Sequence, residues 1–313
     1  MPDLAHGEPI PYLQRTREYY QALGYGALYE WARYADVPFR PLEKPLSDCS
    51  VALITTAAPY RPDKGDQGPR APYNASAKFY AVYSGDTALD HDLRISHIAI
   101  DRKHTTAEDP GTYFPLPALR RAAAAGRIGR VAPHFHGAPT NRSRRITLET
   151  DGPEIVARCK ADDADAAILV ANCPVCHQTL SLAARVLEQN GISTVVMGCA
   201  RDIVEHVGVP RFVFSDFPLG NAAGRPNDPE SQAFTLELAL QALEGARASR
   251  TTVRSPLRWS EDEDWKLDYC NVARLSPGEI AQKRAEFDAA KREARRIRDE
   301  AERAKENPTD GIA

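Results

Sequence analysis

The residues best suited to chemistry lie in one short segment, Asn172-Cys173-Pro174-Val175-Cys176-His177. It follows an apolar stretch, residues 166–171, and precedes a helical pattern, so Cys173 should lie where a buried strand gives way to a helix. Two cysteines three positions apart can form a disulfide, and a thiolate at the first can attack a substrate. We predict Cys173 as the nucleophile and Cys176 as the resolving thiol, with His177 completing the catalytic set.

The predicted position of Cys173 would itself activate the thiol. A free thiol with a pKa near 8.5 is only about 3% thiolate at pH 7. The free N–H groups of a helix N-terminus stabilise an anion. A pKa lowered by about two units would make roughly three quarters of the sulfur thiolate. We expect His177 to hold positive charge beside this thiolate or to donate a hydrogen bond to it.

Metal binding is the alternative interpretation of the same segment. Cys173, Cys176 and His177 could hold a metal ion, although no second Cys-x-x-Cys is present. Three further residues could complete such a site in space: Cys199, His97 and His134. We favour the dithiol chemistry, with no cofactor bound in this chain and an external dithiol as reductant. Cys199 follows the next predicted strand and is either an additional thiol or a small buried residue.

Five polar residues are candidates for binding a substrate. His97 and Asp101 lie four positions apart, near the end of a predicted strand. His134 alternates with a second histidine, so only one of the two can face the crevice. Asn221 and Arg225 follow the third strand of the second half, in a glycine-containing loop suited to an anion such as a carboxylate.

The elements that position these residues alternate between strands and helices. Apolar runs predict strands over residues 50–54, 94–101, 166–171, 192–197 and 211–214. Helical spacing predicts helices over residues 117–125, 179–189, from 201, and 230–243. This order predicts an α/β fold, a doubly wound and mostly parallel sheet with flavodoxin-like layers. Ligands bind such sheets outside the carboxyl ends of the strands, where Cys173 is expected.

Both ends of the chain predict helical extensions of this α/β core. Residues 1–47 form the N-terminal extension, with short helices over 12–23 and 28–34. Residues 48–250 form the α/β domain, and residues 251–313 form the C-terminal extension. Ser276-Pro277-Gly278-Glu279 begins its long charged helix, which runs to about residue 305.

Composition excludes several classes of protein. The chain has 313 residues, with 40 Lys and Arg against 43 Asp and Glu, a net charge of −3. Nucleic-acid binding is disfavoured because phosphate contacts need clustered cations. No run approaches the roughly 18 apolar residues of a membrane span, and the N-terminus lacks the apolar region of a signal peptide. We therefore expect a cytoplasmic protein whose six cysteines are reduced.

Segments over roughly residues 50–245 resemble the family of glycine, sarcosine and betaine reductase selenoprotein B and D-proline reductase. The match centres on residues 168–179, around Cys173. It extends to further segments: residues 96–101, 114–116, 128–133, 200–211, 216–221 and 224–226. This chain is identified as a cysteine-containing member, since the family position matching Cys173 is often selenocysteine.

The resemblance implies an oxidoreductase of the glycine, betaine or D-proline reductase type. In that family the nucleophile takes part in reductive cleavage of a C–N bond of a small molecule, usually with a pyruvoyl-bearing partner subunit. We therefore expect a thiol-dependent reductase or reductive lyase that forms an oligomer and is reset by a thioredoxin-like reductant. The alternative is a non-catalytic module that senses redox state or binds metal and docks a partner.

Overall fold

A central eight-stranded sheet organises the computed structural model, which describes residues 7–25, 29–71, 73–95, 97, 99–140 and 143–306. The strands are β1 (Ser50–Thr55), β2 (Ala58–Pro59), β3 (Tyr83–Asp86), β4 (Leu93–Arg94), β5 (Arg130–Val131), β6 (His134–Gly137), β7 (Ala166–Val170), β8 (Ser193–Gly198), β9 (Arg211–Phe214) and β10 (Thr251–Arg254). The sheet order is β10-β9-β8-β7-β1-β6-β3, and β5 pairs with β1 ahead of β6. Every pairing is parallel except that of β3 with β6. Strands β2 and β4 form a separate antiparallel pair.

Helices cover both faces of the sheet. They are α1 (Tyr12–Ala22), α2 (Leu116–Ala124), α3 (Arg144–Ile146), α4 (Gly152–Ala161), α5 (Pro174–Gln189), α6 (Arg201–Val207), α7 (Pro229–Gly245) and α8 (Pro277–Glu306). A π-helical turn, Thr147–Asp151, joins α3 to α4. In the described part of the chain, no helix is both long enough and apolar enough to cross a bilayer.

Strand β7 shows how the two faces are built. Ala166, Ile168 and Val170 enter a core that also holds apolar residues of α2 and α7. Ala167 and Leu169 enter a second core, shared with α4 and α5. Successive side chains of a strand point to opposite faces, so a strand that is apolar throughout must be covered on both sides. The prediction of a doubly wound, mostly parallel α/β fold is confirmed.

Helix α5 begins earlier than the sequence pattern predicted. We expected it from residue 179, but it starts at Pro174, with Cys173 as its N-cap. Proline suits the first helical position because its missing N–H would have no partner there. The first turn that carries Cys176 and His177 is therefore helical.

Two sequence predictions about local structure were wrong. Residues 94–101 do not form one strand, because only Leu93–Arg94 pairs, and Ser96 and Ile98 lie outside the described residues. Instead, the backbone turns at Asp101, whose carbonyl accepts the N–H of Thr105 at 2.8 Å. The predicted helix over 28–34 is also absent from its described part, residues 29–34. The N–H of Ala32 donates to Gln178 Oε1 at 2.7 Å, so α5 takes a donor that a helix would use internally.

The terminal helices pack on the core as well as extending it. The N–H of Leu13 in α1 donates to Asp202 of α6 at 2.7 Å. Phe287 of α8 packs edge-on against Tyr20 of α1, with ring centroids 5.4 Å apart. The predicted helix start at Ser276 is confirmed: its N–H donates to Glu279 Oε2 at 2.8 Å, while the Glu279 N–H donates back to Ser276 Oγ at 3.3 Å.

A buried ion pair fixes the carboxyl-terminal end of α5. Glu188 accepts from Arg211 of β9 at 2.9 Å, and both side chains are fully buried. Glu188 also accepts the N–H of Thr194 in β8 at 2.6 Å and the N–H of Arg40 in the N-terminal segment. Three separate parts of the chain therefore meet at one carboxylate, which holds α5 in place on the sheet.

Glu188→Ala should lower the free energy of unfolding by about 3–5 kcal/mol, because it leaves the Arg211 guanidinium buried without a counter-charge. Denaturant unfolding followed by circular dichroism measures this. Glu154→Ala is the matched control: it removes the partner of Arg158, 2.8 Å away, from a partly exposed pair, and should cost less than about 1 kcal/mol. Equal losses in the two variants would contradict the assigned role of Glu188.

Candidate functional site

Cys173 is the last residue of the loop after β7 and the N-cap of α5. Its backbone is extended, with φ −134° and ψ 167°, and its Sγ accepts the N–H of Cys176 at 3.2 Å. A side-chain acceptor at this position normally satisfies one of the free N–H groups of the first turn, and here sulfur does so. The sulfur therefore lies at the positive end of the helix dipole, where a thiolate is stabilised.

The two cysteines of the first turn are joined as a disulfide. Their Cα atoms are 4.9 Å apart, which lies within the range that a disulfide requires. Both residues are buried, Cys176 completely and Cys173 with 5% of its surface exposed. Cys173 is therefore the more accessible of the two residues to a reagent.

His177 holds the backbone around the pair and carries no positive charge. Its Nδ1 donates to the carbonyl of Cys173 at 2.7 Å, while Nε2 accepts the N–H groups of Cys199 at 2.8 Å and Ala200 at 3.0 Å. An Nε2 that accepts two N–H groups cannot carry a proton. Burial lowers the pKa of His177 to about 4, against the weaker opposing effect of its bond to Cys173. The expected cation beside the thiolate is thus replaced by a neutral positioning residue.

The room for this imidazole comes from a glycine at the end of β8. A Cβ at Gly198 would lie 2.6 Å from the ring of His177, closer than any side chain could approach. The glycine therefore lets the ring reach the two N–H groups beyond it. Gly198 carries the only sequence signal for this arrangement that we find in the described residues.

His97 is the histidine that the structure brings to the cysteines. One of its ring nitrogens and the sulfurs of Cys173 and Cys176 all lie within 4.8 Å of one another. Its Nδ1 is buried and has no hydrogen-bond partner among the described residues. Burial lowers the pKa of His97 to about 3, with a further contribution from the nearby cations Lys78 and Arg102. A neutral imidazole therefore lies beside the two sulfurs.

A cavity of about 580 Å³ opens beside the first turn of α5. Pro174 and Val175 form part of its wall, and the turn at residues 99–103 forms another part. Its aromatic lining comes from the N-terminal segment, residue 73 and the C-terminal region: Tyr19, Tyr20, Tyr29, Trp31, Tyr73, Tyr269 and Phe287. Sequence reasoning missed this wall, although the density of tyrosine near the N-terminus was a signal for it.

Asp101 lies in the wall of this cavity. Its carboxylate contacts Nδ1 of His104 at 3.2 Å, and Nε2 of the same ring lies 3.2 Å from Asp268. Burial raises the pKa of Asp101, and the neighbouring histidine opposes that shift. Lys103 pairs with Asp268 at 2.7 Å. Asp101, which was predicted to bind a substrate, thus belongs to a charged cluster that borders the aromatic lining of the cavity.

Three other predicted binding residues are not brought to this place. His134 begins β6, at the amino end of the sheet, and its Nδ1 lies 2.9 Å from Asp162. Asn221 is buried and donates to Thr105 Oγ1 at 2.8 Å, so its amide fastens one loop to another. Arg225 pairs with Asp228 at 3.0 Å. None of them lines the cavity, and each has a partner within the protein.

Cys199 belongs to a different layer of the molecule from the cysteine pair. It packs in the core on the α2 and α7 side of the sheet, whereas Cys173 and Cys176 pack on the α4 and α5 side. Its Sγ is 3.8 Å from the carbonyl of Pro218, and burial raises its pKa strongly. The structure therefore favours the interpretation of Cys199 as a small buried residue.

Similar sequences occur among the subunits of reductase complexes. The chain is 32% identical to the D-proline reductase subunit gamma of Acetoanaerobium sticklandii over 196 residues, which are 61% of this chain and 77% of that protein. It is 27% identical to the glycine reductase complex component B subunit gamma of Carboxydothermus hydrogenoformans, over 66% of this chain and 48% of that protein. It is 25% identical to the betaine reductase complex component B subunit beta of Peptoclostridium acidaminophilum, over 57% and 41%. The chain thus spans less than half the length of the last two.

Two other comparisons gave no match. No protein-family model matches the chain, and no solved structure matches it.

The neutral state of His177 predicts a pH dependence of stability. Its pKa is lower in the folded chain than the unfolded value near 6.5, so the unfolded state binds more protons between about pH 6.5 and 4. The contribution of His177 is therefore complete above about pH 6.5 and is lost as the pH falls towards 4, at up to about 1.4 kcal/mol per pH unit.

Denaturant unfolding from pH 7 to 4 tests this in wild type and in His177→Gln. In the variant, the slope of unfolding free energy against pH should be smaller by the equivalent of nearly one proton. The variant should also be less stable at pH 7, because the N–H groups of Cys199 and Ala200 lose their acceptor. Thr179→Ser, which removes no titratable group from the same helix, should keep the wild-type slope. A variant slope equal to that of wild type would show that His177 is charged in the folded chain.

Proposed function

The chain belongs to the family of D-proline reductase and of the component B subunits of glycine and betaine reductases, and we propose that it reductively cleaves a C–N bond of a small molecule, with Cys173 as the nucleophile. The observation that carries the proposal is the sulfur of Cys173 at the N-cap of α5, with a second sulfur within disulfide reach. A helix N-terminus favours the thiolate, and the second thiol provides a route to release.

The first step forms a thioether at Cys173. Its thiolate attacks the carbon of the C–N bond, a C–S bond forms as the C–N bond breaks, and the electron pair of that bond leaves with nitrogen. The nitrogen must leave as a neutral or protonated amine. We therefore infer that a pyruvoyl-bearing partner subunit, as the family resemblance implies, activates the amine before the attack.

The second step releases the product. The thiolate of Cys176 attacks Sγ of Cys173, an S–S bond forms as the C–S bond breaks, and its electron pair passes to carbon, which takes a proton from water. In total the C–N bond becomes a C–H and an N–H bond, and the cysteine pair is oxidised by two electrons. The carbon holds negative charge during release, which favours a substrate with a carboxylate or carbonyl group beside it.

An external dithiol closes the cycle. It returns two electrons and two protons to the Cys173–Cys176 disulfide, the state in which the pair is found here. A thioredoxin-like protein is the chemical class of reductant that fits, and a reducing cytoplasm is the compartment that would maintain it. We propose that the chain works in an assembly with the activating subunit.

The cavity beside α5 is the proposed substrate site. It borders Pro174 and Val175, which follow Cys173, and much of its lining is aromatic, as in many small-molecule sites. Lys283 of α8 also lines it and forms no ion pair within the described residues, whereas Lys103 is paired with Asp268. A substrate carboxylate would find its counter-charge at Lys283.

Substitution of each cysteine should separate the two steps. The tagged chain is expressed in its own host and purified with its bound subunits. Dithiothreitol-dependent C–N cleavage is then measured as ring opening of D-proline and as release of the amine from glycine and betaine. Cys173→Ser should abolish cleavage with little change in the melting temperature of the reduced protein, since serine is a good N-cap. Cys176→Ser should slow turnover and accumulate a substrate-derived mass on Cys173, seen by mass spectrometry.

Cys159→Ser serves as the control, because this thiol is buried in the core behind α5 and takes no part in the proposed steps. It should retain the rate of the parent protein when corrected for folded fraction. Full activity in Cys173→Ser would refute the nucleophile, and a large loss of melting temperature would indicate a structural cysteine instead.

Lys283→Met tests the substrate site with whichever of these compounds is turned over. Loss of a charge-assisted contact to a carboxylate, about 1.5–3 kcal/mol, should raise KM about 10- to 100-fold. Alkylation of reduced Cys173 by iodoacetamide should be unchanged, because that small reagent does not use the lysine. Lys160→Met, on the exposed side of α4, should leave KM unchanged. An unchanged KM in Lys283→Met would place the carboxylate elsewhere.

A further inference from the structure

We infer that His97, Cys173 and Cys176 form a zinc site when the cysteine pair is reduced. The site would hold the ion by one imidazole nitrogen and two thiolates, with the fourth position open. It shares with the proposed function only the need for a reducible cysteine pair, and it requires neither a substrate nor a partner subunit.

The spacing of the three donors fits a tetrahedral ion. One ring nitrogen of His97 and both sulfurs lie within 4.8 Å of one another. Zinc binds sulfur at about 2.3 Å and imidazole nitrogen at about 2.0–2.1 Å, so donor atoms around it are separated by roughly 3.5–3.8 Å. Once the S–S bond is reduced the sulfurs must move apart, and a shift of about 1 Å at the ring is enough to complete the geometry.

The unsatisfied nitrogen of His97 is the independent sign of a ligand. Its Nδ1 is buried without a hydrogen-bond partner among the described residues, and the residue is 93% buried. A buried imidazole nitrogen normally has a partner, since leaving its hydrogen bond unmade costs about 1–3 kcal/mol. The residue that lacks this partner is the one whose ring reaches both sulfurs.

Charge balance favours zinc in this buried place. Two thiolates carry two negative charges and the ion carries two positive ones, so the complex with a neutral imidazole has no net charge. Isolated charges are costly to bury, and a neutral cluster avoids that cost. Two thiolates and one imidazole also match the donor set of zinc sites that keep an open position.

His177 cannot serve as the third ligand, contrary to the metal site expected from the Cys-x-x-Cys-His sequence. Its Nδ1 donates to the carbonyl of Cys173, and its Nε2 accepts the N–H groups of Cys199 and Ala200. Both nitrogens are therefore engaged by the backbone. His97 lies far from the pair in sequence, and only the fold brings it to the sulfurs.

The experiment measures zinc binding to the intact chain in both redox states. The protein is stripped of metal, either reduced with a phosphine or left as the disulfide, and equilibrated with zinc in a competing chelator. The reduced wild type should bind about one ion per chain and the disulfide form none. X-ray absorption of the loaded wild type should show two sulfurs at about 2.3 Å and one imidazole nitrogen at about 2.0–2.1 Å.

Variants identify the histidine. His97→Asn should weaken zinc binding at least about 100-fold, because loss even of a residue that only supports a ligand costs about 10- to 100-fold. His206→Asn, on α6, should bind as wild type does. Absence of zinc from the reduced wild type, a spectrum without imidazole, or unchanged affinity in His97→Asn would each overturn the inference. The wild-type spectrum decides the matter if His97→Asn fails to fold.

The same measurements separate this site from the proposed reductase chemistry. A reduced wild type that cleaves a tested compound but takes up no zinc at equilibrium would overturn the zinc site alone. Zinc bound with the stated ligands in a protein that cleaves no tested compound would leave the site standing and refute the proposed function.

Discussion

A single N–H···S hydrogen bond, from Cys176 to Cys173, connects the architecture of this protein to its chemistry. It forms because β7 ends at Val170, Cys173 has an extended backbone and α5 begins at Pro174, which places the cysteine side chain at the N-cap. The same bond brings the second thiol to the first. Position at the helix start, anion stabilisation and disulfide reach are therefore three results of one backbone geometry.

A neutral histidine in the first turn of α5 maintains that geometry. His177 joins the carbonyl of Cys173 to the backbone that follows β8, so the ends of two adjacent strands are held at fixed separation. At the other end of α5, Glu188 joins the helix to β8 and β9. The helix is thus anchored at both ends by buried polar groups, which give the cysteine pair at its start a rigid support.

The sequence was most informative where local patterns agree with the global fold. The apolar run of β7 predicts a buried strand with Cys173 at the junction to a helix, and the structure has both, although α5 begins at Pro174 and not at residue 179. The pattern over residues 94–101 was misleading, because the spacing of its isoleucines resembles a strand whereas a turn begins at Asp101. His97 could be named as a candidate, but its place beside the sulfurs depends on that turn and on contacts far apart in sequence. The aromatic cavity depends likewise on how the two ends of the chain pack together.

Because Cys173, the proposed nucleophile, is also the helix cap, the chemical state of its sulfur affects the first turn of α5. A thiolate is a strong acceptor for the N–H of Cys176, whereas a disulfide or thioether sulfur is a weak one. Reduction and reoxidation of the pair would therefore strengthen and weaken the hydrogen bond made by the Cys176 N–H. Amide hydrogen exchange at residue 176 would follow that change. The first turn of α5 would in this way report the oxidation state of the cysteine pair.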